Sequence, residues 1–184
     1  AEYTPSPGSP ITRLLAMVNV DELRALKGQH PEAAVISYVN TSAEVKAESD
    51  ICCTSANAVK VVNALKEEEI IFVPDKNLAD YVARYTRKRI IPWNGWCYVH
   101  SKFLAEGLRD ARRIHPDAEV IVHPECRPEV IDLADFVCST SQMLKRVGES
   151  DKDEFIIGTE VGLIERLKIE YPEKTFYTIP PGST

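Results

Sequence analysis

The sequence predicts an α/β protein built from two repeated three-layer αβα domains with parallel sheets. Three observations carry this prediction. Strand-like and helix-like segments alternate, the strand-like runs are apolar throughout instead of at every second residue, and the chain matches itself when shifted by 85 positions. Alternating strands and helices imply crossover connections. A strand apolar on both faces must also be covered on both faces, as in a parallel sheet between helical layers. In the shifted comparison "HPEAAVISYVN" at His30 meets "HPDAEVIVHPE" at His115, "SDICCTSAN" at Ser49 meets "ADFVCSTSQ" at Ala134, and "IFVPDKNL" at Ile71 meets "IIGTEVGL" at Ile156. The register runs without a gap for about sixty residues, the mark of a duplicated unit.

The elements follow in order. Residues 1–18 hold three prolines and no clear period, so they read as a tail or lead-in segment. The first αβα unit is expected over 19–98 and the second over 99–184. "NVDELRALKGQ" places Val20, Leu23 and Leu26 on one helical stripe with Asn19 as N-cap, and "AAVISYV" reads as a buried strand. Each unit then reads helix, strand, helix, short strand, helix, strand, helix, strand. The loops that leave the strands gather at the carboxyl edge of each sheet, where open α/β sheets bind ligands.

Composition narrows the function classes. Among 184 residues, 44% are hydrophobic and 27% charged, ordinary for a soluble globular chain. The net charge of -6 argues against a nucleic-acid or anionic-membrane partner. The basic runs Arg87, Lys88, Arg89 and Arg109, Arg112, Arg113 read as solvated helix ends. No apolar stretch approaches the roughly 18 residues of a membrane span, and no signal-peptide pattern opens the chain, so a cytoplasmic protein is expected. Five cysteines, an odd number, point to reduced thiols.

The repeat pairs the polar loop residues of the two units. Tyr38 and Asn40 answer to His123 and Glu125; Thr54, Ser55 and Asn57 answer to Ser139, Thr140 and Gln142. Hydroxyls before a helix suit an anion, because a helix N-terminus presents unpaired N–H groups and partial positive charge, and they equally suit plain N-caps. His123 and Glu125 flank Pro124 at a strand end, with the spacing that lets an imidazole and a carboxylate converge on one ligand; a surface pair at a loop mouth is the other reading. Cys97 and His100 stand one helical turn apart, a weak metal signal without a second such pair. Cys52, Cys53 and Cys138 end apolar strands and read as buried small residues. Asp75 with Lys76, and Glu160 with Glu165, read as helix starts and exposed faces without chemistry.

Taken together, "YVNTSAEVKAESDICCTSANAV", "PDKNLADYV", "GWCYVHSKF", "VHPECRPEVIDLADFVCSTSQM" and "FIIGTEVGLIERLKIEYPEKTFY" closely resemble the quinolinate synthase family of NAD biosynthesis, over about residues 19–179. The resemblance implies three related αβα domains around a pseudo-threefold axis, two of which this chain would supply. It implies condensation of iminoaspartate with dihydroxyacetone phosphate to quinolinate, with loss of water and phosphate. A [4Fe–4S] cluster held by one cysteine from each domain would act as a Lewis acid, with Cys97 as the ligand of this stretch. By the same resemblance Tyr38 aids proton transfer, Asn40 contacts substrate, Ser55, Ser139 and Thr140 hold phosphate or carboxylate groups, Glu125 is the general base, His123 hydrogen-bonds the intermediate and His100 lines the cavity. Cys126 is then not a cluster ligand.

Two departures accompany the resemblance. The position nearest an expected cluster cysteine is Thr12, and another expected cysteine lies beyond Thr184. A truncated or cluster-free anion-binding module without catalysis is therefore the alternative reading, and a missing third domain or self-association the expected partner of the face left between units.

Overall fold

The computed structural model describes Leu14 and residues 17–180; Thr12 and most of the tail assigned to residues 1–18 lie outside the described residues. The chain divides into two compact units, Ala1–Tyr98 and Val99–Thr184. The first runs α1 (Val20–Gln29), β1 (Ala34–Tyr38), α2 (Ala43–Ala47), β2 (Ile51–Cys53), α3 (Ala58–Ala64), β3 (Glu69–Val73), α4 (Lys76–Ala83) and β4 (Arg89–Pro92). The second, after a 3₁₀ turn at His100–Lys102, runs α5 (Ala105–Ile114), β5 (Glu119–Val122), α6 (Pro128–Ile131), β6 (Phe136–Val137), α7 (Thr140–Glu149), β7 (Glu154–Gly158), α8 (Val161–Glu170) and β8 (Thr175–Thr178). The fold class is α/β, with two four-stranded sheets of orders β2-β1-β3-β4 and β6-β5-β7-β8, every pair parallel.

The continuous apolar runs occupy the middle of each sheet. All five residues of β1 and all four of β5 are buried. In the first unit Leu23 of α1 packs with Val35, Val45, Ile71 and Val73. In the second, Ile121, Phe155 and Ile157 pack with Met143 and Val147 of α7 and Leu163, Ile164 and Leu167 of α8. Asn19 caps α1, its Oδ1 accepting from the amides of Asp21 at 2.8 Å and Glu22 at 3.3 Å.

The repeat is visible bond by bond. The pairs Ile36↔Ile51 and Ala34↔Ile70 of the first sheet become Ile121↔Phe136 and Glu119↔Phe155 of the second, each 85 positions on. The last strand breaks the register: Ile70 pairs Ile90 whereas Phe155 pairs Phe176, one residue further, so the second unit holds one extra residue between β7 and β8. Side-chain to backbone supports repeat as well. The carboxylate of Asp50 accepts from Val35 N and that of Asp135 from Val120 N. Lys88 Nζ donates to the carbonyls of Leu65 and Glu67, and Lys174 Nζ to those of Val147, Ser150 and Lys152.

These bonds correct the expectation that Arg87, Lys88 and Arg89 form a solvated helix end. Lys88 clamps carbonyls that no strand or helix satisfies, and Arg89 opens β4 and pairs with Glu69. Cys52 is likewise exposed instead of buried, because β2 is an edge strand whose first two residues face outward.

Candidate active site

The order β6-β5-β7-β8 puts β5 and β7 at the centre of the second sheet, with the chain crossing in opposite directions on either side of them. A crevice opens at the carboxyl ends of two such strands. The residues that leave β5 are His123, Pro124 and Glu125; the residue that leaves β7 is Thr159. His123, Glu125 and Thr159 are each 2% exposed, so His123 and Glu125 are not a surface pair. His100, first residue of the 3₁₀ turn, is buried beside them.

One oxygen organises this group. Glu125 Oε2 lies 3.1 Å from His100 Nδ1 and 3.2 Å from His123 Nδ1. The imidazoles stack with centroids 4.3 Å apart and planes 12° from parallel. His100 Nε2 lies 3.2 Å from Thr159 Oγ1, and the amide of Glu125 points at His123 Nδ1 from 3.3 Å. The backbone holds the loop to the sheet: His123 N donates to Gly158 O at 3.0 Å and Cys126 N to His123 O at 2.9 Å. Burial, with the neighbouring His100 ring, keeps the His123 imidazole well below the ordinary histidine range, so that ring is neutral. A neutral Nδ1 that accepts from an amide presents a lone pair. That lone pair is taken by the amide, and the ring's one N–H stands on Nε2.

Ser139 and Thr140 stand at the end of β6, beside β5, on the same carboxyl edge. Ser139 is buried and caps α7, its amide donating to Gln142 Oε1 at 2.8 Å, while Thr140 is exposed. The capping reading of this stretch holds for Ser139. Its counterpart Thr54 makes the same turn, amide and hydroxyl bonding Asn57 Oδ1 at 2.7 and 3.0 Å. Ser55, half-buried, follows it.

In the first unit Tyr38 ends β1 and is buried, with Asn40 half-buried two residues on. Cys97 is buried. Cys97 lies outside regular structure and Tyr98 and Val99 form a turn before His100, not the single helical turn expected from the spacing. What holds Cys97 is Asp75. This fully buried carboxylate caps α4, accepting from Leu78 N at 2.8 Å, and its second oxygen accepts from Cys97 N at 2.6 Å. Lys76 N donates to Gly95 O at 2.9 Å, tying the two segments together. A side chain at Gly95 would collide with the carbonyl of Pro74, so only glycine permits this approach.

Sequence reasoning missed Asp75 and Thr159. Both stand within two residues of the carboxyl ends of central strands, a signal available in the sequence, but an acid opening a helix looks the same whether solvated or buried.

The thiols differ in fitness as soft metal ligands. Burial pushes the Cys53 thiol up to about 12 and raises that of Cys138, which opposes the thiolate a cluster needs. Cys126 donates its thiol to Gly158 O at 3.5 Å. Cys97, on a loop with its backbone anchored, fits one ligand position of an iron–sulfur cluster. The other thiolates of such a cluster are not supplied by the described residues.

Comparison with known proteins follows the same lines. Residues 10–183 match the family model of the quinolinate synthetase A protein. The chain is 56% identical over 163 residues to the quinolinate synthase of Methanoregula boonei, covering 89% of this chain and 54% of the relative. It is 58% identical over 163 residues to quinolinate synthase 1 of Methanosarcina acetivorans, again 89% and 54%, and 50% identical over 175 residues to quinolinate synthase 2 of that organism, 95% and 56%. The chain thus spans about half the length of the curated relatives it matches. Among the described residues, no helix is long and apolar enough to cross a membrane.

Proposed function

The chain belongs to the quinolinate synthetase A protein family, and from that membership we propose that it is the part of a quinolinate synthase that carries proton transfer in the condensation of iminoaspartate with dihydroxyacetone phosphate. The observation that carries this reading is the buried Glu125 carboxylate with two imidazole Nδ1 atoms at 3.1 and 3.2 Å from one oxygen.

Forming the pyridine ring requires a proton to leave carbon during tautomerisation, and water and phosphate to leave. Glu125 is the general base for the carbon-bound proton, which its carboxylate takes up. The opposite Nε2–H of the neutral His123 ring then hydrogen-bonds oxygen on the intermediate. Tyr38, buried at the equivalent strand end of the first unit, aids proton transfer, and Asn40 contacts the substrate. Ser139, Thr140 and Ser55 hold phosphate or carboxylate groups: the N-terminus of the ten-residue α7 directs amides outward from a site whose cap is already in place. His100 lines the cavity and orients Glu125.

Cys97 would hold one iron of a [4Fe–4S] cluster, whose open iron polarises a substrate oxygen or nitrogen as a Lewis acid. The family membership and the fitness of Cys97 support that cofactor, and the rest of the longer protein would contribute its remaining ligands. A cytoplasmic setting, where thiols stay reduced, fits an odd number of cysteines.

The test is anaerobic reconstitution of the longer protein with iron and sulfide, followed by both substrates and assay of quinolinate. The reading expects quinolinate from the wild type and loss of bound iron in Cys97→Ser. A fully loaded protein that forms no quinolinate would refute it.

A further inference from the structure

We propose that Thr41 is a substrate-binding residue whose hydroxyl donates to an oxyanion oxygen, of a carboxylate or a phosphate, at the carboxyl edge of the first sheet. The proposal rests on the reading of that edge as the place where Tyr38 and Asn40 meet substrate, but its observables are stability and binding, not turnover.

Thr41 stands three residues beyond the end of β1 and is 3% exposed, yet its Oγ1 has no hydrogen-bond partner among the described residues. A buried hydroxyl left unpaired is destabilising, so such a group points to a role that the ligand-free fold does not satisfy. Two ordinary roles are filled by other residues. The cap of α2 is Ser42, whose Oγ accepts from Val45 N at 3.3 Å. A bond from this position back to the neighbouring strand is made in the second unit: Thr41 answers to Cys126, whose thiol donates to the carbonyl of Gly158 at 3.5 Å. Thr41 makes no such bond to the carbonyl of Val73, the residue that answers to Gly158. The same place in the fold thus engages its side chain internally in one unit and leaves a donor unused in the other.

The loop around that donor suits an anion's oxygen. Val39 is 39% exposed and Asn40 half-buried, so Thr41 lies next to a stretch that solvent reaches. Turning χ1 exchanges the hydroxyl with the methyl, and because the hydroxyl has no bond to break, the rotation costs little. No charged side chain stands between Tyr38 and Glu44, so this loop offers an anion neutral donors: the Asn40 amide and the Thr41 hydroxyl. A carboxylate or phosphate oxygen accepts without donating, and a hydrogen bond to a charged acceptor is the stronger kind.

The test pairs two measurements. Thr41→Val keeps the volume and removes the hydroxyl, while Thr41→Ser keeps the hydroxyl. In urea unfolding of the chain, valine should leave the midpoint unchanged or raise it, since no bond is lost and an unpaired polar group leaves the interior. In calorimetry with the reconstituted longer protein, dihydroxyacetone phosphate and succinate serve as phosphate and carboxylate probes. Valine should weaken the binding of one of them about tenfold, the loss of one hydrogen bond to a charged acceptor, with serine within about twofold of wild type. The probe that responds identifies the group Thr41 holds. A threonine with a merely structural role would lower stability when replaced, so a valine midpoint more than about 0.3 M below wild type would overturn the proposal. Binding of both probes within about twofold of wild type would overturn it too, as would a wild type that binds neither. Tenfold weaker binding in the valine variant of a protein that makes no quinolinate would leave the role of Thr41 intact and refute the assigned reaction.

Discussion

Asp75→Asn is the most direct probe of how the fold presents Cys97. The carboxylate is fully buried and accepts two amide hydrogens, from Leu78 at 2.8 Å and Cys97 at 2.6 Å, one on each oxygen. Asparagine keeps one acceptor oxygen and replaces the other with an NH₂ group that confronts an N–H donor. One bond to a charged acceptor disappears and a buried donor is left facing another. A hydrogen bond to a charged group contributes about 1.5–3 kcal/mol, so the expected destabilisation is about 2–3 kcal/mol. Asp75→Ala loses both bonds, the one from Leu78 being the α4 cap, about 4 kcal/mol in all. Both tryptophans, Trp93 and Trp96, lie in the first unit, so urea unfolding followed by tryptophan fluorescence reports on it selectively. With a slope of roughly 1–3 kcal/mol per molar urea, the asparagine variant should unfold at a midpoint about 1–2 M lower. The rate at which Cys97 reacts with a thiol reagent should rise in the same variant as its loop is released. A midpoint within about 0.3 M of wild type, with unchanged Cys97 reactivity, would refute the reasoning.

The other predictions rest on separate observations. Lys174→Met removes three bonds to the carbonyls of Val147, Ser150 and Lys152; about 2 kcal/mol is expected, a melting temperature roughly 10 °C lower for the second unit by circular dichroism, and a change under about 2 °C would contradict it. Lys88→Met should do the same to the first unit, since it clamps the equivalent carbonyls. The buried Cys53 thiol holds its proton up to about 12 against an ordinary value of 9.0. Between those values the unfolded chain has lost this proton and the folded one has kept it, so stability declines as pH rises from about 9 to 12, by up to about 4 kcal/mol, and Cys53→Ala should flatten that decline in urea titrations.

Much of the architecture could be read from the residues because it depends on patterns a sequence displays directly. The apolar runs "AVIS" and "EVIV" had to be central parallel strands, and the shift of 85 positions located the strand exits at Tyr38, Ser55, His123 and Ser139 before any coordinates. The places of His123 and Glu125 two residues apart at one strand end allowed convergence or a surface pair, and their burial decides for the first. Burial was harder to see. Asp75 and Lys88 look like surface charges in a one-dimensional reading, yet one carries a buried amide from 22 residues away and the other a set of carbonyls left over where two segments end. The meeting of His100 with Thr159 spans 59 residues and comes from the crossing order of the strands, which no local pattern encodes. The Cys97 to His100 spacing suggested a helical turn because distance along the chain was the sole guide; the bond from Cys97 to Asp75 and the close approach of Gly95 to Pro74 fix an irregular residue and a turn there instead.

The central claim is that Glu125 moves the proton while other residues bind the substrate, and it is tested most directly by Glu125→Gln in the reconstituted longer protein. Glutamine preserves shape and hydrogen bonding but cannot take up the proton, so kcat for quinolinate formation should fall by about 10²–10⁴, the usual contribution of a general base, while dihydroxyacetone phosphate binding measured by calorimetry stays within about threefold. A variant that retains more than about half of the wild-type kcat would contradict the account.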